Sequence, residues 1–251
     1  MDLEPWSLAV MIVAGVIAGF VNTFAGGGSL LTLPALMLAG LPADVANGTN
    51  RVCIVAQSTS GVLGFRAKGK LPNPVGLVLP TFAGALVGAW LAAAVLPRTW
   101  AKPVLLTLMI TMALVMVFKP KAIARPDGDP VRVRDSAWAA LGLFGAGLYG
   151  GFVQAGVGFA LLAVLGGLLR YDLVRANALK LVCTLVFGVV ALAVFAYHGQ
   201  VRWGVGAIVA AATVVGSLLG VRFASTVKPA TLRVALAVMV VGACAAALFR
   251  S

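Results

Sequence analysis

The chain has 251 residues, of which 61% are hydrophobic and only 10% are charged, and its mean hydropathy is +1.06. Because a soluble domain carries roughly 25% charged residues, this composition excludes a soluble globular protein and indicates an all-α polytopic membrane protein. The net charge of +12 does not indicate nucleic-acid binding. The basic residues lie in short loops between apolar runs, where membrane topology places them.

Ten apolar segments follow one another along the chain. They cover 6–24, 29–40, 44–65, 74–96, 103–118, 136–153, 159–169, 173–197, 203–221 and 230–249. A spanning helix needs about 20 residues, so 29–40 and 159–169 are too short to cross a membrane upright. Residues 119–135 are rich in proline and charge, and we predict a cytoplasmic linker there. It separates an N-terminal repeat (1–118) from a C-terminal repeat (136–251).

The two halves align at a spacing of 130 residues, which pairs Asn47 with Asn177 and Cys53 with Cys183. Internal duplication is typical of transporter folds. If each half makes an odd number of crossings, most loop Lys and Arg residues fall on one side, as the positive-inside rule requires. If only the two short segments re-enter the membrane, the loop Lys and Arg residues divide more evenly between its two sides, which the rule disfavours. We therefore predict two inverted repeats, in which the first pair of segments either forms a re-entrant hairpin or crosses twice. Because the second segment of each pair is short, we favour a re-entrant, broken helix pair followed by three spanning helices in each repeat.

Glycine runs interrupt both halves where the short segments begin. Breaks at membrane depth are tolerated where the backbone is covered by protein or lines a cavity. A short helix that starts at such a break presents free N–H groups and the positive end of its dipole, which suit an anion. We predict anion sites at Gly27, Gly28 and Ser29, with Ser29 as the N-cap, and at Gly156 and Gly158, where Phe159 takes the N-cap place.

Two basic residues, Arg51 and Lys180, lie inside apolar segments rather than in loops. Each is seven residues into its segment, roughly 10 Å below the face where the segment begins. The acidic residues all lie at termini, in the linker or at segment ends, so the two cations have no predicted counter-ion and point to an external anion. The alternative is that they snorkel or bond backbone carbonyls. We expect Arg51→Ala to abolish transport without abolishing folding.

Further polar residues surround these cations, and each either lines a cavity or bonds between helices. In the first half they are Asn47, Thr49, Asn50 and Gln57, and in the second half Asn177. Cys53 and Cys183 are candidates for the same cavity, or else small apolar residues in the core. The three cysteines have no metal-type spacing, and His198 is the only histidine. The sequence therefore predicts no metal, no cofactor and no enzyme activity.

Two stretches resemble a known family. AGGGSLLTLPALMLAGLPADVANGTNR followed by FRAKGKL is similar to the first repeat of the TauE/SafE sulfite exporter family, and GLYGGFVQAGVGFALLAVLGGLLRYDLVRANALKL to its second. The resemblance implies a multi-pass protein of the bacterial inner membrane that exports sulfite or a C2 organosulfonate such as sulfoacetate. An uptake carrier or channel for another small anion, thiosulfate or a carboxylate, is the alternative. The expected partners are the anion and the lipid bilayer, and a homodimer is left open.

Overall fold

The structure is a computed structural model that describes residues 5–25, 28–118, 129–223 and 238–247. Within these ranges the chain is helical and contains no strand, which confirms the all-α prediction. The helices are α1 (Pro5–Ala25), α2 (Ser29–Leu38), α3 (Ala43–Ala67), α4 (Val75–Trp90), α5 (Arg98–Phe118), α6 (Ala137–Phe152), α7 (Val157–Leu162), α8 (Leu173–Tyr197), α9 (Trp203–Phe223) and α10 (Val238–Ala247).

The bounds of most predicted segments match these helices closely. Long apolar runs that are bounded by proline, glycine and charged residues indicate both the type and the limits of a helix. The clearest difference is α5, which begins at Arg98 instead of residue 103 and carries Pro103 in its early turns. Residues 230–237 of the last predicted segment and 119–128 of the predicted linker lie outside the described residues.

Three helical stretches are long and apolar enough to cross a membrane, namely Val75–Val95, Arg98–Val115 and Leu173–Tyr197. Large apolar side chains such as Leu79, Trp138 and Leu141 are exposed on the outside of the bundle. An apolar exterior of this kind fits lipid rather than water. The chain is thus a helical membrane protein.

The two short segments form buried helices that begin at the breaks. Every residue of α2 from Ser29 to Met37 is buried. At the first break Gly28 lies against the carbonyl oxygen of Ala18, so the chain folds back along α1. At the second break Gly156 has a φ of +77° and lies close to Leu30 at the start of α2. The two breaks therefore meet inside the bundle.

Small residues set the closest helix contacts. Gly84 lies against Phe144 and Gly147 against Thr81, which packs α4 along α6. Gly19 lies against Thr213 and Gly216 against Val16, which packs α1 along α9. A Cβ added at any of these glycines would meet backbone atoms of the neighbouring helix. The glycines therefore allow close backbone approach, as small residues do in membrane helices.

The central pair of helices, α3 and α8, is antiparallel. Phe195 lies next to Arg51, Gly188 next to Ile54, and Leu181 next to Gly61, so residue numbers rise along one helix as they fall along the other. These are the longest helices described, with 25 residues each.

The loops gather at two ends of this pair. The Val131 N–H donates to the Leu169 carbonyl oxygen at 3.0 Å, which joins the start of α6 to the start of α8 at one end. Arg66, Lys68, Lys70, Arg132, Arg134, Arg170 and Arg175 lie there, and we call it the basic end. At the opposite end, Arg98 forms an ion pair with Asp44 (3.2 Å).

Replacing Gly147 with alanine is expected to destabilise the protein, because the new methyl group would strike the backbone of Thr81. Overpacking of this kind costs about 1–3 kcal/mol. Gly145, on the same helix, has open space where a Cβ would lie, with no atom within 4 Å, so Gly145→Ala is the matched control. Thermal unfolding in detergent should show a lower midpoint for Gly147→Ala only. Equal midpoints for the two variants would contradict the close α4–α6 contact.

Candidate functional site

A cavity of about 540 Å³ lies between α1, α3, α8 and α9 and reaches the basic end. Its polar lining residues are Asn22, Gln57, Ser60, Lys68, Asn177, Lys180 and Ser217. The remaining lining is apolar or glycine, including Leu181 and Gly61. An apolar cavity with a few convergent polar groups is the usual form of a small-molecule site.

Lys180 supplies a buried cation to this cavity. Its residue is 3% exposed, and its Nζ donates to Asn177 Oδ1 at 2.9 Å. Asn177 is held in turn by its own Nδ2, which donates to the Leu173 carbonyl oxygen one turn earlier (2.9 Å). An ammonium has three donors, and among the described residues Asn177 is its one acceptor. Lys180 therefore retains donors for a ligand, and no carboxylate pairs with it in the described part of the chain.

Across the cavity from α8, the side chains of α1 and α3 are connected to each other. Asn22 Nδ2 donates to Gln57 Oε1 at 3.0 Å, and Gln57 Nε2 lies 3.5 Å from the Gly19 carbonyl oxygen. After these bonds each of the two amides retains one N–H for a ligand, and Asn22 Oδ1 remains as an acceptor. The cavity thus has hydrogen-bond donors on both sides.

Arg51 has a different environment. Its side chain is fully buried, and Nη1 donates to the carbonyl oxygen of Gly150 and to Gln154 Oε1 (2.6 Å). Nη2 donates to Asn47 Oδ1 (3.0 Å) and to the carbonyl oxygens of Gly151 (2.9 Å) and Phe152 (3.2 Å).

These contacts make Arg51 the cap of α6. The last carbonyls of a helix lack internal partners and carry the negative end of its dipole, and here the guanidinium satisfies three of them. The Phe195 ring also lies 5.3 Å from the guanidinium carbon. Arg51 therefore makes the backbone contacts of the second sequence interpretation, while its buried Nε has no partner among the described residues, and a role in binding the anion stays a prediction. Arg51 is not among the residues that line the cavity.

The structure also separates the two cations. Arg51 lies eight residues from the start of α3 and Lys180 seven from the start of α8, on antiparallel helices of 25 residues. With a rise of 1.5 Å per residue they are about 15 Å apart along the helix axis. The two cations therefore do not lie side by side. Lys180 lies towards the basic end and Arg51 towards the opposite end.

The predicted caps of the two short helices are also corrected. Gly28 is the N-cap of α2, so Ser29 is its first helical residue, and its Oγ is directed to the Gln154 carbonyl oxygen at a long 3.5 Å. Gly156 is the N-cap of α7, which places Gly158 and Phe159 inside the helix. The positive φ of Gly156 ends the turn that starts at Gln154, whose φ is also positive at 64°. Gly27 lies outside the described residues.

The remaining predicted residues divide between the two regions. Asn47 Nδ2 donates to the Phe152 carbonyl oxygen (2.7 Å), and Asn50 Oδ1 accepts from Thr32 Oγ1 (2.6 Å), so both lie with Arg51. Thr49 Oγ1 accepts from the Arg202 N–H (2.9 Å) at the opposite end. Gln57 and Asn177 lie in the cavity with Lys180.

The two cysteines lie outside the cavity lining. Cys53 is fully buried, with Sγ 3.6 Å from the Gly206 carbonyl oxygen on α9. Cys183 packs among apolar residues that include Phe187 and Leu179. Their contribution to a site stays a prediction. Within the described ranges, no three His, Cys, Asp or Glu residues lie close enough together to hold a metal ion.

Sequence patterns assign no binding role to Lys68 and Ser217. They indicate Asn22 and Gln154, beside the breaks, and Ser60, in the polar run on α3, as residues that line a cavity or bond between helices. Nothing in the sequence indicates that Ser217 of α9 reaches the cavity, because that depends on how α1 and α9 pack.

Comparisons with known proteins identify one matching family and several related membrane proteins. The family described as "Sulfite exporter TauE/SafE" matches residues 11–247. A "Probable membrane transporter protein" of Haemophilus influenzae is 29% identical over 231 residues, which are 90% of this chain and 88% of that protein. "Probable membrane transporter protein ORF9" of Sinorhizobium is 31% identical, covering 89% and 85%. "Probable membrane transporter protein YfcA" of Escherichia coli K12 is 28% identical, covering 89% and 81%. No solved structure matches the chain.

Proposed function

This chain belongs to the sulfite exporter TauE/SafE family, and we propose that it is a secondary transporter of a small sulfur-containing anion across the bacterial inner membrane. The substrate class is sulfite or a C2 organosulfonate such as sulfoacetate, and the direction is export. The observation that carries this proposal is the buried Lys180, which lines a cavity at the basic end without a carboxylate partner among the described residues.

The chemistry of Lys180 fits an oxyanion of sulfur. Sulfite and sulfonates offer three acceptor oxygens, and charge-assisted hydrogen bonds from an ammonium are roughly twice as strong as neutral ones. Lys180 would bind one oxygen, with Asn177 holding the ammonium in place, and the Asn22 and Gln57 amides would bind others. A bound anion would also offset the cost of keeping an ammonium in an apolar region.

The distribution of charge supports the proposed direction. Lys and Arg residues are more numerous at the basic end than at the opposite end, where Arg98, Lys102 and Arg202 lie. The positive-inside rule therefore makes the basic end cytoplasmic, so the cavity would receive its anion from the cytoplasm. A membrane potential that is negative inside favours exit of a monovalent anion by about 2.3 kcal/mol per 100 mV. Export needs no coupling ion under these conditions.

Inverted repeats are part of this proposal, and paired contacts support them. In the proposed repeat, α1, α2, α3 and α4 correspond to α6, α7, α8 and α9. The packing of α4 against α6 then corresponds to the packing of α9 against α1. The contact of Gly84 with Phe144 then corresponds to that of Gly216 with Val16, and Gly147 with Thr81 to Gly19 with Thr213. The antiparallel α3–α8 pair is what a two-fold axis in the membrane plane would produce. The chain reversals after α1 and after α6 would be the two re-entrant hairpins.

A carrier fits better than a channel. The cavity reaches the basic end, whereas the opposite end of the α3–α8 pair is closed by the Asp44–Arg98 ion pair and by the bond between Thr49 and the Arg202 N–H. A channel needs one continuous path, and a carrier exposes its site to one side at a time. Uptake of thiosulfate or a carboxylate by the same carrier is the alternative that the substrate panel below tests.

Purified protein in proteoliposomes should move sulfite or sulfoacetate with saturation and counterflow. The panel contains sulfite, sulfoacetate, thiosulfate, acetate and chloride, and flux is measured with and without the same unlabelled anion on the far side. The expected result is at least tenfold greater flux for a sulfur oxyanion than for chloride or acetate. Equal flux of chloride, or flux without saturation, would contradict a selective carrier, and preferential acetate flux would assign the carrier to carboxylates.

A further inference from the structure

Polar contacts close the end of the molecule that lies away from the cavity. Arg98 Nε lies 3.2 Å from Asp44 Oδ2, and Asp44 is only 6% exposed although it begins α3. Gln200 Nε2 donates to the Ala93 carbonyl oxygen at 3.1 Å, and Thr49 Oγ1 accepts from the Arg202 N–H at 2.9 Å. The ion pair connects α3 to the start of α5. The Thr49 bond connects α3 to the turn between α8 and α9, and the Gln200 bond connects that turn to the helical stretch that follows α4.

We propose that these three contacts form a distal gate, and that transport requires the gate to open while the basic end closes. The inference rests on the proposed carrier function and deepens it by naming the barrier between the cavity and the far side. In the described state, Lys180 lines the cavity that reaches the basic end, and Arg51 is not part of the cavity lining.

The polar contacts of the gate are individually weak. Its ion pair is exposed on one side, since the Arg98 side chain is 81% exposed, and exposed ion pairs contribute little stability. Two buried acceptors of the gate, Gln200 Oε1 and Asp44 Oδ2, have no hydrogen-bond partner among the described residues. Opening would expose both oxygens to water. Besides these polar contacts, the closed gate is held by a small apolar cluster that includes Ala93 and Phe195.

The backbone beside the gate departs from regular helix. Leu91–Val95 continues α4 as a π-helical turn, and Ala93, the acceptor for Gln200, lies inside it. Such turns are frequent at functional sites, because the wider spacing releases backbone groups from the α-helical pattern. Gly48 on α3 lies against the Gln200 carbonyl oxygen, so a bulky residue there could not pack against the turn. Gly48 therefore allows the α8–α9 turn to pack closely on α3 in the closed gate.

The test is to tether the gate covalently. In a background with Cys53, Cys183 and Cys244 changed to alanine, Asp44→Cys and Arg98→Cys are joined with a short bismaleimide, whose thioether bonds sulfite does not cleave. The matched control is the same double variant treated with N-phenylmaleimide. A second pair, Ala93→Cys with Gln200→Cys, tests the same gate if the first pair does not fold.

Tethering is expected to reduce sulfite counterflow at least tenfold relative to the monofunctional control, while sulfite affinity measured by calorimetry changes less than twofold. Binding persists because the cavity lies at the other end. Cross-linked protein, verified by mass spectrometry, that still exchanges sulfite at the control rate would overturn the gate. If neither the unmodified chain nor the cysteine-free protein binds or moves any anion of the panel, the result contradicts the proposed function, and the gate with it.

Discussion

Lys180→Met is expected to reduce sulfite flux at subsaturating concentration by at least about tenfold, because hydrogen bonds to charged groups contribute about 1.5–3 kcal/mol each. Methionine keeps the length and the apolar stem of lysine and removes only the ammonium that lines the cavity. The variant should fold normally, since removing a buried cation from an apolar site relieves a desolvation cost. The measurement is the concentration dependence of flux in proteoliposomes, supported by sulfite titration of the detergent-solubilised protein.

The matched control for that variant is Lys70→Met. Lys70 lies at the same basic end, is exposed, and is not among the residues that line the cavity. The same substitution there removes one charge from the surface without removing a ligand, so flux should stay within about twofold of the unmodified protein. If Lys180→Met had the same half-saturation concentration and rate as Lys70→Met, Lys180 would not be a substrate ligand.

Arg51→Met is expected to reduce the folded fraction as well as transport. The substitution leaves the buried carbonyl oxygens of Gly150 and Gly151 without their side-chain donor, whereas the Phe152 carbonyl oxygen keeps its bond from Asn47 Nδ2. Each buried acceptor that loses its donor costs about 1–3 kcal/mol. We therefore expect a lower unfolding midpoint and a smaller monodisperse peak in size-exclusion chromatography, whereas Lys180→Met should resemble the unmodified protein in both measurements.

Arg51→Lys separates charge from geometry at the same position. Lysine keeps the positive charge but is a point donor without the planar fork, and the present contacts use both Nη atoms of that fork. Partial recovery of folding relative to Arg51→Met is the expected result. The opposite outcome, a fully stable Arg51→Met that no longer transports, would restore the sequence expectation that Arg51 acts on the anion directly and does not support the fold.

The helices can be predicted from the sequence because the membrane reduces the choice to helices, and apolar runs ended by proline or charge mark their limits. The apolar run 173–197 predicts the bounds that the structure has, Leu173–Tyr197. The starts of the short helices are less accurate. Ser29 resembles an N-cap by residue type, but Gly28 occupies that position and lies against Ala18, a contact that sequence patterns do not reveal.

The environments of the two cations depend on long-range packing. Arg51 and Lys180 look alike in sequence, since each is a lone basic residue seven positions into an apolar run. Arg51 meets the end of α6, about a hundred residues away in the chain, and both Nη atoms donate to its carbonyl oxygens, while Nε has no partner among the described residues. Lys180 meets a cavity formed by α1, α3 and α9. Nothing local distinguishes a cation that caps a helix from a cation that faces a cavity.

Selenite has the same charge and shape as sulfite, and the selenium atom can be located by its anomalous scattering. In crystals of the protein grown with selenite, we expect one selenium peak in the cavity at the basic end, with a selenite oxygen about 2.7–2.9 Å from Lys180 Nζ. The Lys180→Met protein should lack that peak. A selenium peak beside Arg51 with an empty Lys180 cavity would contradict the assignment of Lys180 as the anion ligand.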